Sequence, residues 1–253
     1  MALEVIGSGL LARAFASAPE MSPDAIICAS GVPDSQCTDE SAFRRERALL
    51  HDLTGRARER DAVLVYFSGA PVYGRVGGLR VESQDATPQT PYGRHKLECE
   101  NMVVDSGARH LVLRLPNVVG PGGNPRQLIP SLVAQALGGS ILTMTAATRD
   151  LLDVDDLAII VAALLRGGVY DTVVNVASGI STPVPQLAGV IAEVLGTPAS
   201  VLSAEGGDRQ EFSIAKVRRL LPEFPRFGRD YPVNVLRRRV PAIARAVTDR
   251  ATS

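Results

Sequence analysis

Tyr92 and Lys96 stand four residues apart in the segment TPYGRHKLECE. Pro91 suits a first helical turn, so the spacing predicts a helix that carries the phenol and the ammonium on one face, one turn apart. A free phenol titrates near pH 10, and an adjacent ammonium favours the phenolate. The pair therefore predicts a proton donor or acceptor drawn toward working pH. The chain has only two lysines, Lys96 and Lys216, so high lysine content does not explain the pairing.

A second candidate lies near the start of the chain. In EVIGSGLLARAF, residues Gly7, Gly9 and Ala12 form a G-x-G-x-x-A pattern between an apolar run and a helical one. A turn this tight lets the backbone N–H groups of Gly7, Ser8, Gly9, Leu10 and Leu11, with the positive end of the helix, approach a pyrophosphate. The acidic residue that would hold the adenine ribose, about 20 positions on, has no clear counterpart before Ala25–Cys28. NAD and NADP are not distinguished.

Elements able to position these groups can be read from periodicity. Leu3–Ile6, Ala25–Cys28, Ala62–Phe67, Leu111–Leu115 and Val173–Val176 are apolar runs of strand length. Between them, Leu10–Ala18, Ser41–Arg60, Pro91–Ser106, Asp155–Leu165 and Val184–Leu195 have helical spacing or composition. Strands alternating with helices predict an α/β protein, a parallel sheet wound on both faces. The Gly- and Pro-rich stretch Val118–Pro130 and the Arg- and Pro-rich region from Glu205 onward break the rhythm and are candidates for a substrate lobe. Residues Thr248–Ser253 are expected to fray.

Composition narrows the function class. With 27 Lys plus Arg against 27 Asp plus Glu, and no long block of like charge, the chain offers neither a nucleic-acid nor a membrane arm. Its partner is expected to be a small molecule in a pocket. Cys28, Cys37 and Cys99 lack a CxxC pair, and His51, His95 and His110 show no HExxH, so no metal site is expected. No apolar window reaches the ~18 residues of a membrane span, and no basic leader precedes Leu3–Ile6. Reduced thiols and a chain that folds from its first residues predict a cytoplasmic protein.

Six segments in order, VYFSGAPVYG (Val65–Gly74), TPYGRHK (Thr90–Lys96), LRLPNVVGPGG (Leu113–Gly123), RDLLDVDDLA (Arg149–Ala158), VNVASGISTPVPQLAGVI (Val174–Ile191) and GDRQEFSIAKVRRLL (Gly207–Leu221), carry a resemblance. The chain resembles the extended short-chain dehydrogenase/reductase family, the NAD-dependent epimerases, dehydratases and nucleotide-sugar ketoreductases, with a shortened N-terminal half. The resemblance implies a Rossmann-like doubly wound sheet with a small C-terminal substrate lobe, the core spanning 1–116 plus 148–198 and the lobe 117–147 plus 199–253. It implies an NAD(P)H cofactor held by Gly7–Leu11, by Ala29, Ser30 and Gly31, and by Phe67, Tyr92, Lys96 and Pro116. Tyr92 would be the general acid/base, and Lys96 would hold the nicotinamide ribose. Asn117 would contact the sugar nucleotide, and Arg149 and Arg209 its diphosphate.

Three departures stand out. The Ser or Thr that usually polarises the substrate carbonyl is Gly69 here, with Ser68 as a substitute in catalysis and in substrate contact. The distance from the glycine turn to CASG (Cys28–Gly31) is short, so the strand and helix pairs that cradle adenosine are expected to be missing. The usual asparagine of the following helix is replaced by Arg45 or a neighbour in AFRRERALL.

Gly69-Ala70-Pro71 holds no acid pair for elimination, which disfavours a dehydratase. An epimerase must retain its cofactor through a cycle, whereas a reductase binds reduced cofactor, passes one hydride and releases it. The shortened half favours reduction of a nucleotide-activated keto-sugar, with 4-keto-6-deoxyhexoses of deoxysugar pathways as the leading class. An epimerase and a non-catalytic dinucleotide sensor or scaffold are the alternatives. The resemblance also implies a homodimer through the helices at Ser41–Arg60 and Pro91–Ser106.

Overall fold

The computed structural model describes residues 3–17, 24–74 and 78–251. The chain runs β1 (Leu3–Ile6), α1 (Leu10–Ala16), β2 (Ala25–Cys28), α2 (Glu40–Glu59) and β3 (Val63–Gly69), which a short 3-10 turn, Ala70–Tyr73, follows. It continues through β4 (Leu79–Arg80), α3 (Pro91–Val104), β5 (His110–Leu115), β6 (Asn117–Val119), α4 (Leu128–Leu137), β7 (Ser140–Met144) and β8 (Thr148–Asp153). Then come α5 (Val154–Arg166), β9 (Thr172–Asn175), β10 (Ser181–Pro183), α6 (Val184–Leu195), β11 (Ser200–Ala204), β12 (Glu211–Phe212), α7 (Ala215–Leu220) and α8 (Tyr231–Ala251).

The five strands expected from the apolar runs pair as one parallel sheet in the order β1-β2-β3-β5-β9. The register sets Ile6 beside Cys28 and Cys28 beside Tyr66, and farther along sets Ser68 beside Arg114 and Arg114 beside Asn175. All carboxyl ends therefore meet at one edge, where open α/β sheets bind their ligands. Helices cover both faces, as apolar parallel strands require. Phe15, Val65, Leu113 and Leu157 share one core, and Ile26, Leu50, Tyr66 and Cys99 share the other. Among the described residues no strand lies outside β1, which agrees with the expected loss of the adenosine-side strands.

Local capping explains where the helices that carry the site begin. Asp39 accepts the Ser41 N–H at α2, and Thr90 accepts the Gly93 N–H at α3, where Pro91 fills the first position. At the far edge of the sheet, charged side chains cap β9: Lys216 Nζ donates to the Val173 carbonyl at 2.7 Å, and Glu82 accepts the Asn175 N–H at 2.8 Å. Both line a cavity of about 620 Å³ with His110, Asp171 and Arg219. It runs along the edge strand β9, where Lys216 and Glu82 take up backbone groups that no further described strand pairs.

A third core joins Leu132 and Val133 of α4, Ile141 of β7, Leu187 and Ile191 of α6, and Val235, Leu236 and Val240 of α8. The expectation that the chain frays from Thr248 is corrected: α8 continues through Ala251, anchored by its apolar stripe, with Pro241 on the exposed side. Residues 252 and 253, and Ala18 from the expected first helix, lie outside the described residues.

Candidate active site

The glycine turn follows β1 directly. Gly7 has φ +129°, and a Cβ there would stand 2.6 Å from the Ala29 carbonyl, so only glycine lets β1 and the loop after β2 approach this closely. Gly9, by contrast, faces open space, with nothing within 4 Å of a built Cβ. An exposed turn with open space in front and no side chain over it fits a pyrophosphate approached by backbone N–H groups. Arg13 braces the turn from the far side: its guanidinium donates to Ser8 O at 2.8 Å and to the Pro121 and Gly122 carbonyls at 3.2 and 2.9 Å.

Lys96 lies in the first turns of α3 and is buried. Its ammonium donates to Glu46 Oε1 at 2.8 Å, to the Tyr66 hydroxyl at 3.1 Å and to the Phe67 carbonyl at 3.4 Å. Glu46 was not singled out from the sequence. It sits in the buried stripe of α2 with Phe43, Leu50, Leu53 and Ala57, and a carboxylate within such a stripe is the signal that finds it. Arg45, expected to mark the altered helix, is exposed and donates to the Ser41 hydroxyl at 3.1 Å, and the contact to Lys96 is made by its neighbour Glu46.

Each Glu46 oxygen has two partners. Oε1 takes Lys96 at 2.8 Å and the Tyr66 hydroxyl at 3.0 Å, and Oε2 takes the Val32 N–H at 2.8 Å and lies 3.0 Å from His95 Nε2. Burial would raise this carboxyl, but His95 and Lys96 outweigh it and hold the group at about 2. Glu46, His95 and Cys99 offer donor atoms within 4.8 Å of one another. An ammonium at 2.8 Å and a fully used carboxylate make the cluster a hydrogen-bond node and a poor seat for a cation.

Tyr92, partly exposed, opens the same helix, and the Lys96 ammonium lies 5.8 Å from its ring centre. The expected depression of the phenol is corrected. Burial pushes Tyr92 above its ordinary value, and the pull of Lys96 does not cancel it, because Glu46 neutralises that ammonium and itself pushes the phenol up. A phenol held in this way stays protonated at neutral pH.

Ser68 alternates along β3 to the side of Leu64 and Tyr66, which pack with Leu50 and Cys99 of α2 and α3. Its hydroxyl is buried without a hydrogen-bond partner. Gly69 has φ −169°, extended backbone open to any residue. A Cβ there would make ordinary contacts, 3.4 Å to Leu115 O and 3.6 Å to Pro71 Cδ. Neither backbone strain nor lack of space requires the glycine.

The remaining candidate residues border the lobe. Pro116 is half-buried between β5 and β6. Asn117 Nδ2 donates to the Asp150 carbonyl at 3.3 Å. Arg149 is turned onto Asp208, with an ion pair of 2.7 Å and a bond to that residue's carbonyl at 2.9 Å. Arg209 is exposed and pairs with Glu211 at 3.2 Å, while a bridge between Thr148 and Arg209 brings the two arginines' segments side by side. Arg80, not anticipated from sequence, is buried there, donating to Arg209 O at 3.0 Å, with its ring-facing guanidinium 5.9 Å from the centre of Phe212.

The NAD dependent epimerase/dehydratase family matches residues 7–177, from the glycine turn to just beyond β9. The chain belongs to this family. Within it, the chain is 30% identical over 200 residues to a GDP-6-deoxy-D-mannose reductase of Pseudomonas aeruginosa, covering 70% of this chain and 64% of that one. It is 28% identical over 218 residues to a UDP-glucose 4-epimerase of Azospirillum brasilense, covering 73% and 63%. The chain thus spans just under two thirds of the length of these two relatives. Its fold is similar to that of RMD from Pseudomonas aeruginosa, solved in complex with NADPH, with a TM-score of 0.79 at 22% identity over 98% of this chain and 99% of that one. It is also similar to a UDP-galactose 4-epimerase structure, with a TM-score of 0.75 at 19% identity over 88% and 78%. Within the matched range, Tyr92 and Lys96 lie one helical turn apart on α3, and position 69 is a glycine.

Proposed function

We propose that this chain binds a reduced nicotinamide dinucleotide at the carboxyl edge of its parallel sheet and reduces a keto group on a nucleotide-activated sugar, with a 4-keto-6-deoxyhexose as the leading class. The observation that carries the reading is the α3 turn: a protonated, partly exposed Tyr92 beside a buried Lys96 whose ammonium touches the backbone of β3 at Phe67. When bound, the cofactor supplies the hydride. The backbone of Gly7–Leu11 would hold its phosphates, Ala29, Ser30, Gly31, Phe67 and Pro116 would flank it, and Lys96 would take a ribose hydroxyl. Tyr92 gives its proton to the carbonyl oxygen as the carbon is reduced, and the buried Ser68 hydroxyl, directed toward α2 and α3, would have to turn toward the cleft to share that oxygen. Asn117, Arg149 and Arg209 would receive the sugar nucleotide, with Asp208 and Glu211 giving way to its diphosphate.

Reduction is favoured over epimerisation because β1 is the outermost described strand of the sheet, and a thin adenosine side suits a cofactor that is released after each turnover. Gly69 supports a second reading, a sensor that binds the dinucleotide without chemistry. The deciding experiment offers NADH or NADPH with UDP-, GDP- and dTDP-linked keto-sugars and follows the reduced-nicotinamide absorbance. Loss of absorbance only when cofactor, keto-sugar and protein are together is expected. Cofactor binding with no turnover on any keto-sugar would leave the sensor reading standing.

The same reading includes a homodimer in which α2 and α3, packed together in each copy, meet their counterparts in a four-helix bundle. Light scattering at micromolar concentration is expected to return twice the mass of one chain, and a monomer there removes the dimer. Three free cysteines, two of them buried, favour a cytoplasmic location. No described helix is long and apolar enough to cross a membrane.

A further inference from the structure

We propose that Glu46 is a positioning residue that supplies the counter-ion for Lys96 and couples it to the Gly31–Val32 loop bordering the cofactor cleft. The inference deepens the proposed function and rests on it for the role of Lys96, though the ion pair itself can be tested without turnover.

Three observations lead to it. Glu46 and Lys96 come from helices 50 residues apart in sequence, and both are buried, at 3% and 5% exposure. A buried ammonium is stable only beside a partner, and Glu46 is the carboxylate it contacts. The loop after β2 also rests on this carboxylate: Val32 donates its N–H to Oε2, and a Cβ on Gly31 would stand 2.7 Å from Oε1. One carboxylate therefore joins α2, the loop after β2, β3 through Tyr66, and α3 through His95 and Lys96. The 3.4 Å contact to the Phe67 carbonyl is the longest of the three Lys96 bonds, so a cofactor hydroxyl can replace it while Glu46 and Tyr66 keep their hold.

The groups facing the ammonium set its protonation. Glu46 comes from α2, Tyr66 from β3, and Tyr92 and Cys99 from α3, with His95 on the far oxygen of Glu46 and Cys28 of β2 within electrostatic reach. Burial alone would pull the Lys96 pKa down, and Tyr92 and Glu46 together hold it above the ordinary value. With Glu46 neutral, its charge and its hydrogen bond are both withdrawn while the burial stays, and the ammonium is expected to lose its proton at least ~2 pH units lower.

The chain's two lysines make the test direct. In full-length protein labelled with 13C at lysine Cε, NMR titration follows Lys96 against Lys216 as internal reference. In the unsubstituted chain Lys96 is expected to stay charged beyond the ordinary lysine range near pH 10.4. In Glu46→Gln it is expected to titrate at least ~2 units lower than in the parent, and in Glu46→Asp to keep its charge, with Lys216 unmoved throughout. In the parent the Tyr92 phenol sets the alkaline limb of kcat for keto-sugar reduction. In Glu46→Gln that limb is expected to fall to lower pH as Lys96 becomes the first of the two to lose its proton, whereas a merely structural loss lowers kcat at every pH without moving the limb. A Lys96 that titrates at or below its ordinary value in the parent overturns the proposal even if Glu46→Gln does not fold. So does a Lys96 signal that ignores Glu46→Gln. If no keto-sugar is turned over but the Lys96 titration behaves as expected, the ion pair stands and the reductase reading fails.

Discussion

Tyr92→Phe is expected to lower kcat for reduction by about 10²- to 10⁴-fold, the range for removing a positioned general acid, with dinucleotide affinity almost unchanged. The substitution deletes one oxygen from a ring that already lies beside Lys96 and leaves the packing of α3 intact. No other phenol is placed to take over: Tyr66 is buried with its hydroxyl committed to Glu46, and the Tyr73 hydroxyl donates to Asn175 at 2.7 Å. Because burial keeps the Tyr92 phenol above its ordinary value, the parent enzyme is expected to hold its activity from neutral pH upward until that phenol ionises. Steady-state kinetics with cofactor binding measured in parallel checks this. Equal rates in Tyr92→Phe and the parent, with cofactor bound by both, would remove Tyr92 from the chemistry.

Gly69→Ser is expected to raise kcat by about 10- to 100-fold, a share of the ~10²–10³ that one well-placed donor to a developing oxyanion is worth. Position 69 ends β3 at the carboxyl edge, on extended backbone, with room for a Cβ. A serine there needs no backbone change, and its hydroxyl would add a donor where Ser68, directed to the α2 and α3 side, has a buried and unpartnered oxygen. Gly69→Ala is the control, adding the Cβ without the hydroxyl. If the serine and alanine variants have equal rates, the reacting carbonyl does not lie at the end of β3, and the proposed placement of the substrate fails. A gain confined to serine, and to threonine beside it, places the reacting carbonyl at the end of β3 and assigns the missing donor to position 69.

The relation between Tyr92 and Lys96 was legible from the sequence because it is local: four residues of helix, a proline at the first position and a threonine cap determine which side chains share a face. The same holds for the strands. β1 and β2 match their apolar runs, and β3, β5 and β9 lie within two residues of theirs, because buried parallel strands must be continuously apolar. The glycine turn was legible for a related reason, since the close approach of Gly7 to Ala29 leaves no room for a side chain. α8 was missed because its arginines and Pro241 mask a stripe of Val235, Leu236, Val240 and Ile243 that has meaning only against α4 and α6.

Only the tertiary structure decided what each charge does. Glu46 reads in sequence as one more acid in a charged helix, and it becomes the partner of Lys96 only when α2 and α3 pack side by side. The fold likewise turns Arg149 onto Asp208, 59 residues away, and raises the Tyr92 phenol that sequence alone would lower. Helical and strand periods are encoded within a few residues, whereas the pairing and burial that set a charge's energy depend on which distant segment lies against it.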